Sequence, residues 1–320
     1  MKRKCGKFAA VFFWCFIFAI TVTAEETAIS GFVDVIYTDA QSENSSFGMG
    51  SFEIDFVKQI SERAAFEGAV VVEDGKAALG QTLVDFSIVK DKANLQAGLI
   101  DIPFGIDYLT FAACDRKLIT PPLTTERMMD GGWGDIGINL HGKVSQLNYN
   151  FYAVNGMGED STHAPVNQMA DNNNSKTFGG RAGFSPEEGL EIGLSAARGP
   201  YLKNDSEKLW QRTGADIRFE SEAFNLKGEY LTGKEDLTGT AENKHKGFYL
   251  EVLKPVSNSI YAVVRYGEWQ PDGGDKVERI TAALGYDIAA DISLRGEYAI
   301  NKETPKEDNN SVKVQVVVNF

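Results

Sequence analysis

Apolar and polar residues alternate along most of this chain with a period of two. The closing stretch shows the pattern most cleanly. Val312, Val314, Val316, Val318 and Phe320 fall on one face of an extended strand, and Ser311, Lys313, Gln315, Val317 and Asn319 on the other. Ile292, Leu294, Gly296, Tyr298 and Ile300 oppose Ser293, Arg295 and Glu297 in the same way. Ile136, Ile138 and Leu140 oppose Asp135, Asn139, His141 and Lys143. Repeated along the chain, the alternation predicts about sixteen strands. They fall near 28–38, 47–60, 64–74, 79–90, 93–102, 134–144, 147–155, 176–185, 190–198, 209–220, 224–233, 246–254, 259–269, 277–287, 291–301 and 310–320. No amphipathic stretch of helical period stands out, so helix content is expected to be low.

The connections alternate in length. Turns such as Ser61-Glu62-Arg63, Asp91-Lys92, Ser145-Gln146 and Ala289-Ala290 are short. Those between them are longer on the whole, at 156–175, 199–208, 234–245, 302–309 and above all 103–133. An up-and-down membrane barrel has short turns at one end and long loops at the other. An even strand count returns both termini to the short-turn end. The predicted fold is all-β: a closed antiparallel transmembrane β-barrel of about sixteen strands with a long third outer loop. Closure is required because lipid offers no partner to an unpaired backbone N–H or C=O.

Charge decides which face is wet. Glu53, Asp55, Glu67, Asp85, Lys143, Arg181, Asp216, Arg218, Lys227, Glu229, Glu251, Arg265, Arg279, Arg295, Glu297 and Lys313 all point away from the apolar face. A dry core does not hold so many ions. A barrel of this size leaves an aqueous channel instead. Aromatic residues on the apolar face, among them Phe184, Phe224, Tyr230, Tyr286 and Phe320, suit interface girdles.

The amino terminus adds a targeting signal. Lys2, Arg3, Lys4 and Lys7 precede an apolar run from Phe8 to Val22, and Val22-Thr23-Ala24 offers a cleavage site. Residues 1–24 are expected to be removed, leaving 25–320 as one barrel domain in the outer membrane of a Gram-negative-type bacterium. Cys5 and Cys15 leave with the signal, so Cys114 stands alone and no internal disulfide is expected. The net charge of −13 includes those four cations, so the mature chain carries −17. That argues against nucleic acid as a partner. His141, His163 and His245 lack metal-ligand spacing, and no metal or other cofactor is expected.

The connection from Pro103 to Gly132 carries the candidate chemistry. It is rich in Leu, Ile, Phe and Tyr, so a folded loop is expected rather than a disordered one. Folded into the barrel, it narrows the channel, with Asp107, Asp115, Arg116, Lys117, Glu126, Arg127 and Asp130 as its ionisable members. The pore-lining candidates are Asp115, Arg116, Lys117, Glu126 and Arg127 from the loop, with Lys143, Arg181, Arg218, Lys227, Arg265, Arg279 and Arg295 from the wall. No residue is assigned a catalytic role.

Three segments resemble the phosphate-selective porins of the O/P type. Gln96-Ala97-Gly98-Leu99-Ile100-Asp101-Ile102-Pro103-Phe104-Gly105 followed by Leu109-Thr110 is similar to that family's "GQ-x-K-x-P-F-G … LT" region. Asp135 to Lys143 resembles its "DVGVQLHGK" strand, and Phe151 to Gly156 its "V-x-NG" strand end. The resemblance implies a sixteen-stranded outer-membrane channel, commonly trimeric, admitting small anions by diffusion. The closing strand, ending in Phe320, resembles that of bacterial outer-membrane β-barrels more widely, which implies that Phe320 serves as the assembly signal read by the outer-membrane assembly machinery. The chain departs from the family where a basic residue is replaced by Asp101. Acidic rings favour cations, so weak or cation-leaning selectivity is expected, with outer-membrane lipid, small ions and polar solutes as partners. The alternatives are a structural or adhesive barrel with a blocked lumen, or a barrel hydrolase.

Overall fold

The structure, a computed structural model, describes residues 27–73, 75–162, 164–237, 239–305 and 309–320. The expected signal segment lies outside them. Sixteen strands close one antiparallel barrel, each paired with its sequence neighbours and the first with the last. They are β1 (Ala28–Ala40), β2 (Ser46–Ser61), β3 (Ala64–Glu73), β4 (Lys76–Val89), β5 (Ala93–Asp101), β6 (Gly134–Val144), β7 (Leu147–Val154) and β8 (Thr177–Glu187). The circuit continues through β9 (Leu190–Pro200), β10 (Leu209–Glu220), β11 (Asn225–Asp236), β12 (Glu242–Pro255), β13 (Ile260–Gln270), β14 (Val277–Ala289), β15 (Ile292–Lys302) and β16 (Ser311–Asn319).

All sixteen expected strands are present. Several run beyond the alternating stretch at the long-loop end: β11 continues to Asp236, and β12 begins at Glu242 rather than near residue 246. Outside the apolar band the ladder goes on with charged residues, such as Lys234 opposite Lys244. The hydrophobic signal therefore stops before the hydrogen bonding does.

The connections at one end are short, at 62–63, 90–92, 145–146, 188–189, 221–224, 256–259 and 290–291. In one of the two-residue connections, 188–189, Gly189 takes φ 80, the left-handed conformation such a hairpin turn requires. The other end carries 102–133, 155–176 and shorter loops, with 74–75 the exception. A two-residue ladder, Gly158–Glu159 with Pro165–Val166, lies inside 155–176. Among the described residues helix is confined to a 3-10 turn at Asp107–Thr110 and to α1 at Leu123–Met128.

Closure pairs Val33 with Val318, Val35 with Val316 and Tyr37 with Val314. Gly31 and Phe320 then exchange both backbone hydrogen bonds at 3.0 Å. The Phe320 ring lies over Gly31, where a Cβ would meet it, and stacks on Phe52 at 6.1 Å.

The barrel is inside out relative to a soluble protein. Leu194 is 68% exposed, Phe178 64% and Leu284 63% on the outer wall, while Arg295, Glu297 and Gln315 are buried within. Apolar surface on this scale, continuous around the wall, is what a lipid-facing barrel presents. Among the described residues no helix is long and apolar enough to cross a membrane.

Cys5 and Cys15, expected to leave with the signal, lie outside the described residues.

Candidate functional site

The long third connection folds into the lumen. Its base is closed by Ile102 N–H donating to Trp133 O at 2.8 Å, and Pro103 then ends the ladder. Once inside, the loop leaves its own backbone groups unpaired, and the wall's charges satisfy them. Glu229 accepts from Ile106 N–H and from Asp107 N–H, the latter at 3.2 Å. Gly105, at φ 66, lets the chain pass against that carboxylate, where a Cβ would collide with it. Glu297 accepts from Ile119 N–H at 2.6 Å and from Thr120 N–H at 3.1 Å.

Guanidinium groups take the carbonyls. Arg265 donates to Thr120 O at 2.6 Å and Pro121 O at 2.9 Å, and Arg295 to Ala113 O at 2.6 Å and Cys114 O at 3.2 Å. Arg212 reaches Met128 O at 3.2 Å, and Tyr261 Oη reaches Lys117 O at 3.2 Å. Arg279 pairs with Glu126 at 2.8 Å, and Lys227 with Asp107 at 3.3 Å. Burial pushes the Asp107 carboxyl up, but Lys227 and Arg116 outweigh it and hold it below its ordinary value.

Part of the lumen is dry. Trp133 meets Trp210 edge-on at 5.1 Å and Tyr152 at 5.7 Å, within a cluster that includes Met128, Met129, Met157, Tyr201 and Leu202. The end of the third loop, the loops 155–176 and 201–208 and the wall all contribute to it. Asp135 pins the cluster's rim, accepting from Trp133 Nε1 at 3.2 Å, Ile136 N–H at 2.7 Å and Gly156 N–H at 2.7 Å. Asn167 N–H donates to Asp130 at 2.9 Å, which ties the fourth loop to the third. The third loop is thus fastened by charge on one side and by packing on the other.

The rest of the lumen stays open as a cavity of about 1850 Å³. Its lining runs from the short turns, at Glu62, Arg63, Lys90 and Asp91, past the loop to Ser51 and Glu73 near the far end. One wall of it, on β2 to β5, carries Glu53, Asp55, Glu67, Asp85 and Asp101. Among the described residues Glu53, Asp55, Glu67 and Asp101 have no ion pair with a cation; Glu67 takes Gln81 at 3.1 Å instead. Asp85 pairs with His141 at 3.0 Å. The opposite wall carries a row in register, Glu191–Arg218–Lys227–Glu251–Arg265, in which acids and bases share strands and partners. Arg181 is locked between Asp216 at 2.5 Å and Glu191 at 2.8 Å.

Of the expected pore residues, Asp115, Arg116, Lys117, Lys143, Arg181, Arg218, Lys227 and Arg265 line the cavity. Glu126, Arg127, Arg279 and Arg295 are not among its lining; Arg127 lies over the Trp269 ring at 5.8 Å. Lys117 sits over the Tyr261 ring at 5.0 Å. Arg116 donates through Nε to Thr110 O at 2.8 Å, and burial lowers its proton affinity. Burial pushes Asp115 up to about 6, against the pull of Lys117 and Arg295. Sequence alternation places Glu229 and Glu297 inward but carries no sign that they clamp loop N–H groups. It gives no sign either of the buried Arg212–Glu235 pair with His245 beside it. Among the described residues no group of three or more His, Cys, Asp or Glu is arranged to hold a metal ion; His163 lies outside them.

The sequence matches no known family model and no curated protein. Solved structures do match. An anion-selective porin from Comamonas acidovorans aligns at TM-score 0.72 and 12% identity over 92% of this chain and 99% of that one. OmpF of Salmonella typhi, in complex with daunomycin, aligns at 0.69 and 12% over 94% and 99%. The trimer form of OmpT, an outer membrane protein of Vibrio cholerae, aligns at 0.67 and 11% over 92% and 99%. The chain therefore has the sixteen-stranded fold of the outer-membrane porins.

Proposed function

We propose that this protein is an outer-membrane channel through which small ions and polar solutes diffuse passively, cations more readily than anions. One observation carries the reading. Most of the lumen's arginines are spent on loop carbonyls or on wall carboxylates, while Glu53, Asp55, Glu67 and Asp101 face the open cavity without cationic partners. Carboxylates lining a water-filled path raise the local concentration of cations and repel anions.

The resemblance to phosphate-selective porins of the O/P type supports the channel but not the anion preference, because the arginines that such a preference needs are engaged. A blocked, purely structural barrel fits poorly with a cavity whose lining reaches from one end to the other. Among the described residues no catalytic constellation supports a hydrolase. Residues 1–24 act as a cleaved export signal, Phe320 as the assembly signal, and the barrel forms a homotrimer, as one of the similar structures does. Reversal potentials across a salt gradient in a planar bilayer test the selectivity. Cation preference is expected, and strong anion preference would overturn it.

A further inference from the structure

The outer face of the barrel changes character at its long-loop end. On β9, β11 and β12 the lipid-facing residues Leu194, Tyr230 and Phe248 give way, two to four residues further along the same faces, to Arg198, Lys234, Lys244 and Lys246. Pairing aligns them across four strands. Arg198 lies opposite Gln211, Gln211 opposite Lys234, and Lys234 opposite Lys244, with Lys246 opposite Thr232 just below. At about 4.8 Å per strand the row spans roughly 14 Å. Lys234 is taken up by Glu242 at 2.6 Å and Asp236 at 3.6 Å. Lys244 shares Glu242 at 2.9 Å, yet its side chain stays 65% exposed. Arg198 and Lys246 are exposed and pair with no acid among the described residues.

The same level on β13 to β15 is balanced. Lys276 sits between Glu268 and Glu278, and Lys302 lies opposite Glu278. The surplus of positive charge on β9 to β12 therefore stands out in a chain of net charge −13. It also sits where the apolar band ends, which is the depth of lipid headgroups.

We propose that this strip docks the phosphate-bearing headgroup of a lipid in the leaflet that faces the long loops. The guanidinium of Arg198 offers a planar fork to a phosphate, and the ammonium groups of Lys244 and Lys246 supply further charge-assisted donors. The apolar residues directly below hold the acyl chains of the same molecule. The proposal rests on the membrane reading above but not on conductance.

The test uses the full chain in phosphatidylcholine vesicles doped with bis-phosphorylated lipid A or with its dephosphorylated form. Lipid retained on extraction is counted by native mass spectrometry. Wild type is expected to retain the phosphorylated form on the order of tenfold more than the dephosphorylated one. The triple variant Arg198→Gln/Lys244→Gln/Lys246→Gln is expected to lose that preference, with conductance unchanged. The control Lys276→Gln is expected to keep it. Equal retention of the two lipids by wild type overturns the proposal without recourse to any variant. So does a preference that survives in the triple variant, or one abolished by inorganic phosphate, which would mark an ion site rather than a headgroup site. A wild type that fails to conduct yet keeps the lipid preference counts against the channel and leaves this surface standing.

Discussion

At the scale of single residues, the lumen separates charges that anchor from charges that face water. Glu297 is an anchor. Its carboxylate holds two loop N–H groups that have no other acceptor among the described residues. Glu297→Ala leaves both donors buried, at a cost of about 1–3 kcal/mol each. The expected outcome is a lower melting temperature in detergent and noisier single-channel currents; unchanged values of both contradict the anchoring role. Asp115 faces the cavity instead. Its carboxyl is raised to about 6, mainly by burial, so it is ionised at pH 7 and neutral well below pH 6. Cation preference is therefore expected to weaken as pH falls through 6, and Asp115→Asn to flatten that step. The sign for stability runs the other way. The folded state holds this proton more tightly than the unfolded chain, so this group favours folding as pH falls from 7 toward 4. Reversal potentials at pH 5 and pH 7.5, chosen about one unit or more either side of the titration, check the first statement.

At the scale of elements, the strands were legible and the loop's course was not. Alternation reports which face meets lipid, and Val312, Val314 and Val316 on β16 are exposed outward as that pattern requires. Strand ends are less legible, because past the apolar band residues such as Lys234 and Lys244 continue the ladder with no apolar signal. The loop is harder still. That it is folded follows from its length and apolar content, but its anchors in the lumen are pairs far apart in sequence, such as Arg295 with Ala113 O and Glu229 with Ile106 N–H. Alternation says that Arg265 points inward; it cannot say that a carbonyl waits there. The closing seam is a second element with a test. Phe320 rests on Gly31 and Phe52, so Phe320→Ala and Gly31→Val are both expected to reduce the yield of heat-resistant barrel in membranes. Normal yields from both contradict the part assigned to that ring.

At the scale of the whole molecule, hydrogen bonding forces closure, and the charge count forces a wet interior. The third loop then divides that interior into a dry, fastened part around Trp133 and Trp210 and an open part along β2 to β5. Replacing residues 104–132 with a short linker is expected to raise conductance severalfold and to destabilise the barrel, since the anchoring arginines and Glu229 and Glu297 lose their partners together. The measurement that bears most directly on the account is conductance of the purified protein in a planar bilayer under a salt gradient. Stepwise insertions with a reversal potential of cation-selective sign are the predicted result. Absence of conductance from correctly folded barrels, or a reversal potential of strongly anion-selective sign, would contradict it.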